Sequence, residues 1–324
     1  MKYRIYALLL LSLPHLAAAE ELGCSAAARS LHLACGYDAK DDYLTSVAAC
    51  IDAESAGLNE CTAEFDAELI AASEDCGEVF AARLEICDAL GDIAHDPNFG
   101  EDHSDNFVDP LQIGISIDPN PWFPLVQGNV WVYEGTFEED GEEITETITV
   151  TVTDQVKVIE GITCLVVMDV AEVDGRVIES TADWYAQDVS GNLWYCGEIS
   201  RNFETFAGDL PEDPELVDLE GSWKSGREDA QAGILFPAEP VVGDVLRQEL
   251  AWTDAEDVIE ILSLEGNEST AVAVCNGACL VTRDFTPLEP GINENKYFVS
   301  GIGLIVETLP DEDQRIELID FQLQ

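Results

Sequence analysis

Ile144-Thr145-Glu146-Thr147-Ile148-Thr149-Val150-Thr151-Val152 alternates apolar and polar side chains without a break. Successive residues of a strand point to opposite faces, so this stretch builds a strand with one face in a core and one in water. Alternating segments recur from Trp122 onward. Turn residues separate them at Asp140-Gly141, Asp174-Gly175, Ser190-Gly191-Asn192 and Asn276-Gly277. Helix-period segments of useful length are absent from this region. Residues 121–324 are therefore expected to form an antiparallel meander of roughly ten to fourteen strands, wound into a curved sheet, half-barrel or barrel.

The β region reads as two repeats, 121–206 and 240–324. At an offset of 115, Gly128 matches Gly243, Val130 matches Val245 and Glu134 matches Glu249. Further along, Cys164-Leu165-Val166 matches Cys279-Leu280-Val281, Asp169 matches Asp284 and Glu179 matches Glu294. The irregular stretch between the repeats carries Trp223, Phe236, Pro237 and Pro240, read as a lid packed on the core.

Upstream the period changes. Cys24, Cys35, Cys50, Cys61, Cys76 and Cys87 are spaced 11, 15, 11, 15 and 11 residues apart, in sequence rich in Ala, Glu and Leu. Eleven and fifteen residues are close to whole helical turns, so the cysteines of one arm share a face. Cysteines eleven apart on one helix are ~16 Å apart, beyond disulfide reach, and must pair across helices. Cys24 with Cys87, Cys35 with Cys76 and Cys50 with Cys61 share an index sum of 111, the signature of an antiparallel hairpin turning near Ser55-Ala56-Gly57. A rival turn near Asp41-Asp42 strands Cys76 and Cys87, and Gly36-Tyr37-Asp38 threatens the first arm with a break. The expected fold class is α+β, with a disulfide-stapled helical hairpin over 20–92, an acidic linker over 93–120 and the β domain over 121–324.

Residues 1–19 have the form of a cleavable signal peptide. Lys2 and Arg4 precede the apolar run Tyr6 to Leu13, and Ala17-Ala18-Ala19 precedes Glu20. No later segment has the ~18 consecutive apolar residues of a membrane span. Because Lys2 and Arg4 are the only charges in that segment, its loss takes the net charge from −52 to −54. Such a surface repels nucleic acid and anionic lipid. Ten cysteines in an exported chain point to disulfides. Cys164, Cys196, Cys275 and Cys279 lie in the β domain. Two strands of a flat meander separate Cys164 from Cys196 by ~10 Å, which favours pairing 164 with 279 and 196 with 275 over a local 275–279 bridge.

The sequence offers few sites. His95 and His103 lie among carboxylates and are candidate zinc or copper ligands. Calcium is the cofactor the acidity suggests, at Asp102, Asp105, Asp109, Asp118 and Asn120 or at Asp311, Glu312 and Asp313. None of these makes the twelve-residue calcium loop. No Gly-x-Ser-x-Gly elbow, His-Glu-x-x-His helix or phosphate-binding glycine loop occurs. Asp183 with Asp188 is a carboxylate pair of the glycosidase kind, but with 66 acids in the chain such pairs have little specificity. Trp184, Tyr185, Trp194 and Tyr195 read as half core, by strand alternation, rather than as a sugar platform.

Asp118 through Tyr133 (DPNPWFPLVQGNVWVY) and the Asp183-Trp184-Tyr185-Ala186-Gln187-Asp188 block resemble an uncharacterised family of bacterial secreted β proteins. Gly191 to Tyr195, Gly221-Ser222-Trp223 and Thr286 to Gly291 resemble it too, as does the cysteine-rich segment ahead of the domain. The resemblance implies export and a β fold, and no activity. The expected functional class is a secreted or periplasmic non-catalytic binding or structural protein, its partner a small ligand or cell-surface component held on the concave side of the sheet. The alternatives are a calcium- or metal-binding envelope protein and, third, an extracellular hydrolase.

Overall fold

A computed structural model describes residues 23–53, 58–139, 142–310 and 314–324. The signal segment, the hairpin tip around Ser55-Ala56-Gly57, the Asp140-Gly141 turn and the Asp311-Glu312-Asp313 cluster lie outside the described residues.

Helix α1 (Cys24–Asp52) and helix α2 (Leu58–Ala89) form the hairpin. Three disulfides staple it: Cys24–Cys87, Cys35–Cys76 and Cys50–Cys61, with Cα separations of 5.4, 5.8 and 5.9 Å. These are the pairs of constant index sum. Helix α1 runs through Gly36 unbroken. A glycine there costs about 1 kcal/mol of helix propensity, and the neighbouring Cys35 rung offsets it by fixing the two arms together. Asp92, just beyond α2, caps the start of α1 by accepting from Ser25 N at 2.8 Å and Ser25 Oγ at 3.0 Å.

The β domain begins with β1 (Val130–Glu139), β2 (Glu142–Ile159), β3 (Ile162–Val173), β4 (Arg176–Gln187) and β5 (Leu193–Ile199), each antiparallel to the last. The chain then makes an excursion through β6 (Asn202–Glu204), β7 (Glu215–Asp218) and β8 (Trp223–Lys224), and rejoins β5 with β9 (Gln231–Phe236). After β10 (Val245–Arg247) and β11 (Glu249–Leu250) come β12 (Val258–Ser269), β13 (Val274–Phe285), β14 (Glu294–Val299), β15 (Gly303–Leu309) and β16 (Gln314–Gln322). Strand β16 pairs with β1, with Val130 opposite Gln322. On the other side β10 pairs with β12 while β11, one residue further on, pairs with β9. Thirteen strands thus form one nearly closed antiparallel sheet. Gly233 sits at that junction, where a Cβ would collide with the backbone of Arg247 and Gln248.

Alternation places Trp131, Leu165, Ile259, Leu280, Ile305 and Leu318 in the interior, all fully buried. Residues 107–129 are less solvated than a linker. They pack across one end of the barrel, with Ile113, Asn120 and Leu125 buried. Phe123 lies against Trp131 and Tyr185 at ring separations of 5.3 and 5.7 Å. Asn120 ties this segment down, accepting from Trp122 N at 2.9 Å and donating to Gly191 O at 2.9 Å.

Two expectations are corrected. Cys164 pairs with Cys196 and Cys275 with Cys279, at Cα separations of 6.9 and 5.4 Å, in place of the cross-repeat pairing 164–279 and 196–275. A β-bulge makes the first bridge reachable: Tyr185 opposes Tyr195 and Trp184 opposes Gly197, leaving Cys196 as the extra residue. The bridge then passes beside Ala186, which adds only a methyl group to the same buried cluster. Asn276-Gly277 is not a turn between strands. It is an irregularity inside β13, where Gly277 N donates to Asn267 Oδ1 at 2.7 Å, and the chain reverses at Thr270–Ala273 instead. Non-reducing peptide mapping is expected to return these five pairs, and a peptide joining Cys164 to Cys279 would refute the arrangement.

Candidate ligand chamber

Inward positions near one end of the barrel carry acids where the pattern calls for apolar side chains. In β3 the inward series Leu165, Val167 ends in Asp169; in β4 Tyr185 is preceded by Asp183. The bulge at Cys196 shifts the alternation, so that Glu198 stands opposite Asp183 as Tyr195 stands opposite Tyr185. Tyr195 Oη bridges the two acids, 2.6 Å from Asp183 Oδ1 and 2.8 Å from Glu198 Oε2. Glu249, Asp257, Asp284 and Glu307 complete the group from β11, the loop before β12, β13 and β15.

These side chains, except Glu198, which lines the wider mouth, and the rings of Phe123, Tyr133, Tyr185, Tyr195 and Phe298 surround a cavity of about 290 Å³. It shares Glu249 and Asp257 with a wider mouth of about 910 Å³, lined by Glu179, Asp218, Glu220 and residues of the excursion. Trp223 is packed edge-on against Tyr195 at 5.4 Å and is buried, as expected for a lid packed on the core.

Burial dominates the electrostatics. It pushes the Asp169 carboxyl up to about 8, reinforced by Asp183, Glu179, Glu146 and Glu307. Burial likewise raises Glu198 to about 9, with Asp183 adding to the effect, and Asp183 to about 6 against the lowering effect of the tyrosine hydrogen bonds. Glu249 is pushed well above the usual carboxylate range by burial and by Asp257 and Glu198. The other side of the chamber is compensated. Lys296 Nζ lies 2.8 Å from Glu294, 3.3 Å from Asp284 and 3.5 Å from Glu307.

The residues singled out from sequence lie elsewhere. Asp102 and Asp105 are exposed on a short 3₁₀ helix (Glu101–Asn106), with His103 half-buried between them. Asp109 caps the next such turn through Leu111 N, and Asp118 is exposed. Asn120 is occupied by backbone groups. His95 is bonded to Ala232 O at 2.9 Å, in a separate cleft between the hairpin and the barrel wall, and burial lowers its pKa. Among the described residues, no three His, Cys, Asp or Glu side chains are grouped to hold a metal ion. Asp183 and Asp188 are not brought together: Asp188 closes the β4–β5 turn, accepting from Ser190 N, Asn192 N and Trp194 Nε1. Of the four aromatics, Tyr185 and Tyr195 point inward. Trp184 lies outside beneath Lys157, and Trp194 lies under Phe99 and Phe107.

The sequence reading missed Asp169, Glu198, Glu249, Asp257, Asp284, Lys296 and Glu307 as site residues, and it weighed Asp183 only as a partner of Asp188. The available signal was an acid at an inward position of an alternating strand, as at Asp169 after Leu165 and Val167. No family model, curated protein or solved structure matches this chain.

Proposed function

We propose that the protein is an exported, non-catalytic binding protein that holds a small organic ligand inside its barrel. The observation that carries this reading is the chamber itself, walled partly by aromatic rings and partly by carboxylates and sharing Glu249 and Asp257 with a wider mouth. Small-molecule sites have this composition: an apolar lining with a few convergent polar groups that fix orientation. Filling the same space with apolar side chains would stabilise a purely structural barrel, whereas burying acids there costs stability. Export is supported by the signal-like N-terminus and by five disulfides, which belong to an oxidising compartment. Among the described residues, no helix is long and apolar enough to cross a membrane. The family that the 118–133 and 183–188 blocks resemble fits the same picture of an exported β protein.

Native mass spectrometry of protein purified without denaturation tests the reading. A discrete small-molecule adduct is expected, and it should disappear when Tyr195→Ala opens the chamber wall. Protein that carries no adduct, and whose melting temperature no member of a broad metabolite panel raises, would refute it.

A further inference from the structure

We propose that the ligand is an organic ammonium ion, seated against Asp169, Asp183 and Glu249 on the side of the chamber that no lysine lines. The proposal rests on the reading that the chamber holds a small ligand, and adds its chemical class.

The two halves of the barrel supply the comparison. In the second half Lys296 stands opposite Thr282, one inward pair along from Leu280–Phe298. In the first half the same ladder position, opposite Val167 and one inward pair along from Leu165–Tyr185, is taken by Asp183. Asp284 and Glu307 beside Lys296 thus have counterparts in Asp169 and Glu198, Thr181 stands where Glu294 does, and the ammonium that neutralises the acids has no counterpart. Among the described residues, no lysine or arginine forms an ion pair with Asp169, Asp183, Glu198 or Glu249.

Glu249 provides an independent sign of a missing partner. The residue is only 5% exposed and borders both chamber and mouth, and no protein donor meets Oε2 with good hydrogen-bond geometry; the Trp223 indole approaches it, but Trp223 Nε1 is left equally unsatisfied. An unmet buried acceptor costs about 1–3 kcal/mol, which a ligand N–H would recover. The rings of Tyr185 and Tyr195, 4.8 Å apart, line the same half and suit the carbon skeleton and positive charge of an amine. A bare metal ion matches the space poorly. The cavity is far larger than an ion, and no ligand group is arranged for one among the described residues. When an ammonium enters, the chamber carboxyls that hold protons release them and become its counterions, so binding tightens as pH rises toward 8.

Thr181 is the position for the test. It is 3% exposed, opposes Asp169 directly, and lies on the same strand face as Asp183. Thr181→Lys places an ammonium where the ligand's would sit and removes no carboxylate. Calorimetry and thermal unfolding with 2-phenylethylamine, its neutral analogue 2-phenylethanol, and CaCl₂ separate the outcomes. The amine is expected to bind wild type and raise its melting temperature, while the alcohol and Ca²⁺ do neither. Thr181→Lys is expected to melt higher than wild type without ligand and to bind the amine at least about tenfold more weakly. Should that variant not fold, Glu249→Gln keeps the volume, removes the charge, and is expected to weaken the amine by a similar factor. The proposal is overturned if the alcohol binds as well as the amine, if Ca²⁺ alone shifts the melting temperature, if the amine does not bind, or if it binds the folded variants undiminished. A neutral adduct found in the native protein would also overturn it, and would leave the binding role of the chamber standing.

Discussion

Arg83→Met is expected to destabilise the native protein by about 3–5 kcal/mol, because it leaves the Glu256 carboxylate buried without its counter-charge. Arg83 in α2 is 4% exposed and Glu256, in the loop before β12, is fully buried. The guanidinium meets the carboxylate with Nε at 2.9 Å from Oε2 and Nη2 at 2.5 Å from Oε1, and Thr253 N donates to the same carboxylate at 2.9 Å. This pair joins the stapled hairpin to the barrel, across 173 residues of sequence. The double variant Arg83→Met with Glu256→Leu removes both charges. It should recover most of the loss, because an apolar pair of similar volume often matches a buried ion pair. Urea unfolding of the three proteins checks this. A single variant as stable as wild type would show that the hairpin docks without the ion pair.

Stability is also expected to fall as pH rises from about 5 to about 9, the reverse of the usual carboxylate behaviour. Asp169 and Glu198 hold their protons to about 8 and about 9 in the folded chamber, because burial and neighbouring acids disfavour the charge. In the unfolded chain the same groups lose their protons near pH 4. Between those limits the native state binds more protons than the unfolded state, so the unfolding free energy falls with pH. The slope is about 1.4 kcal/mol per pH unit for each proton so held. The contribution is complete below the unfolded pKa and gone above the folded one. Asp183 and Asp257, raised to about 6, add to the lower part of the window. Glu294, lowered by Lys296, acts in the opposite sense and only at acid pH. Asp169 faces Asp183, Glu179, Glu146 and Glu307, so Asp169→Asn should flatten the profile by about one proton's slope. Unfolding at constant ionic strength gives the answer; a melting temperature that climbs steadily across this range would mean that the native chamber is ionised.

The hairpin was legible because cysteine spacing encodes geometry directly. A disulfide tolerates little error in position, so the common index sum of 111 leaves little freedom in the fold. The barrel wall was legible for a similar reason, since segments such as Ile144 to Val152 carry their facing in their period. Bulges were not. Cys196 and the irregularity around Asn276 change register by inserting residues, and nothing in composition marks the insertion. Both disulfide corrections trace to these two places. The 93–120 segment misled differently: its Asp, Asn and Pro suggest solvent, but Asn120 is used to satisfy buried backbone groups. The chamber acids were hidden by number, since Asp169 and Glu249 look like any of 66 acids until the barrel turns them inward.

The sheet has two junctions, and they make very different demands on a folding chain. At the β9–β11 and β10–β12 junction the partners are near in sequence: Gln231 meets Leu250, and Val245 meets Glu260. Every other neighbour along the meander is a hairpin or, for β5 and β9, a short excursion. The β1–β16 seam is the exception, where Val130 must find Gln322 after the whole intervening meander has been strung together. Contacts of that separation carry the largest loop-closure entropy and dominate folding rates in β topologies. The late-forming edges of this barrel are therefore β1 and β16. Until they join, their unpaired amides are open edges on which another chain could add a strand.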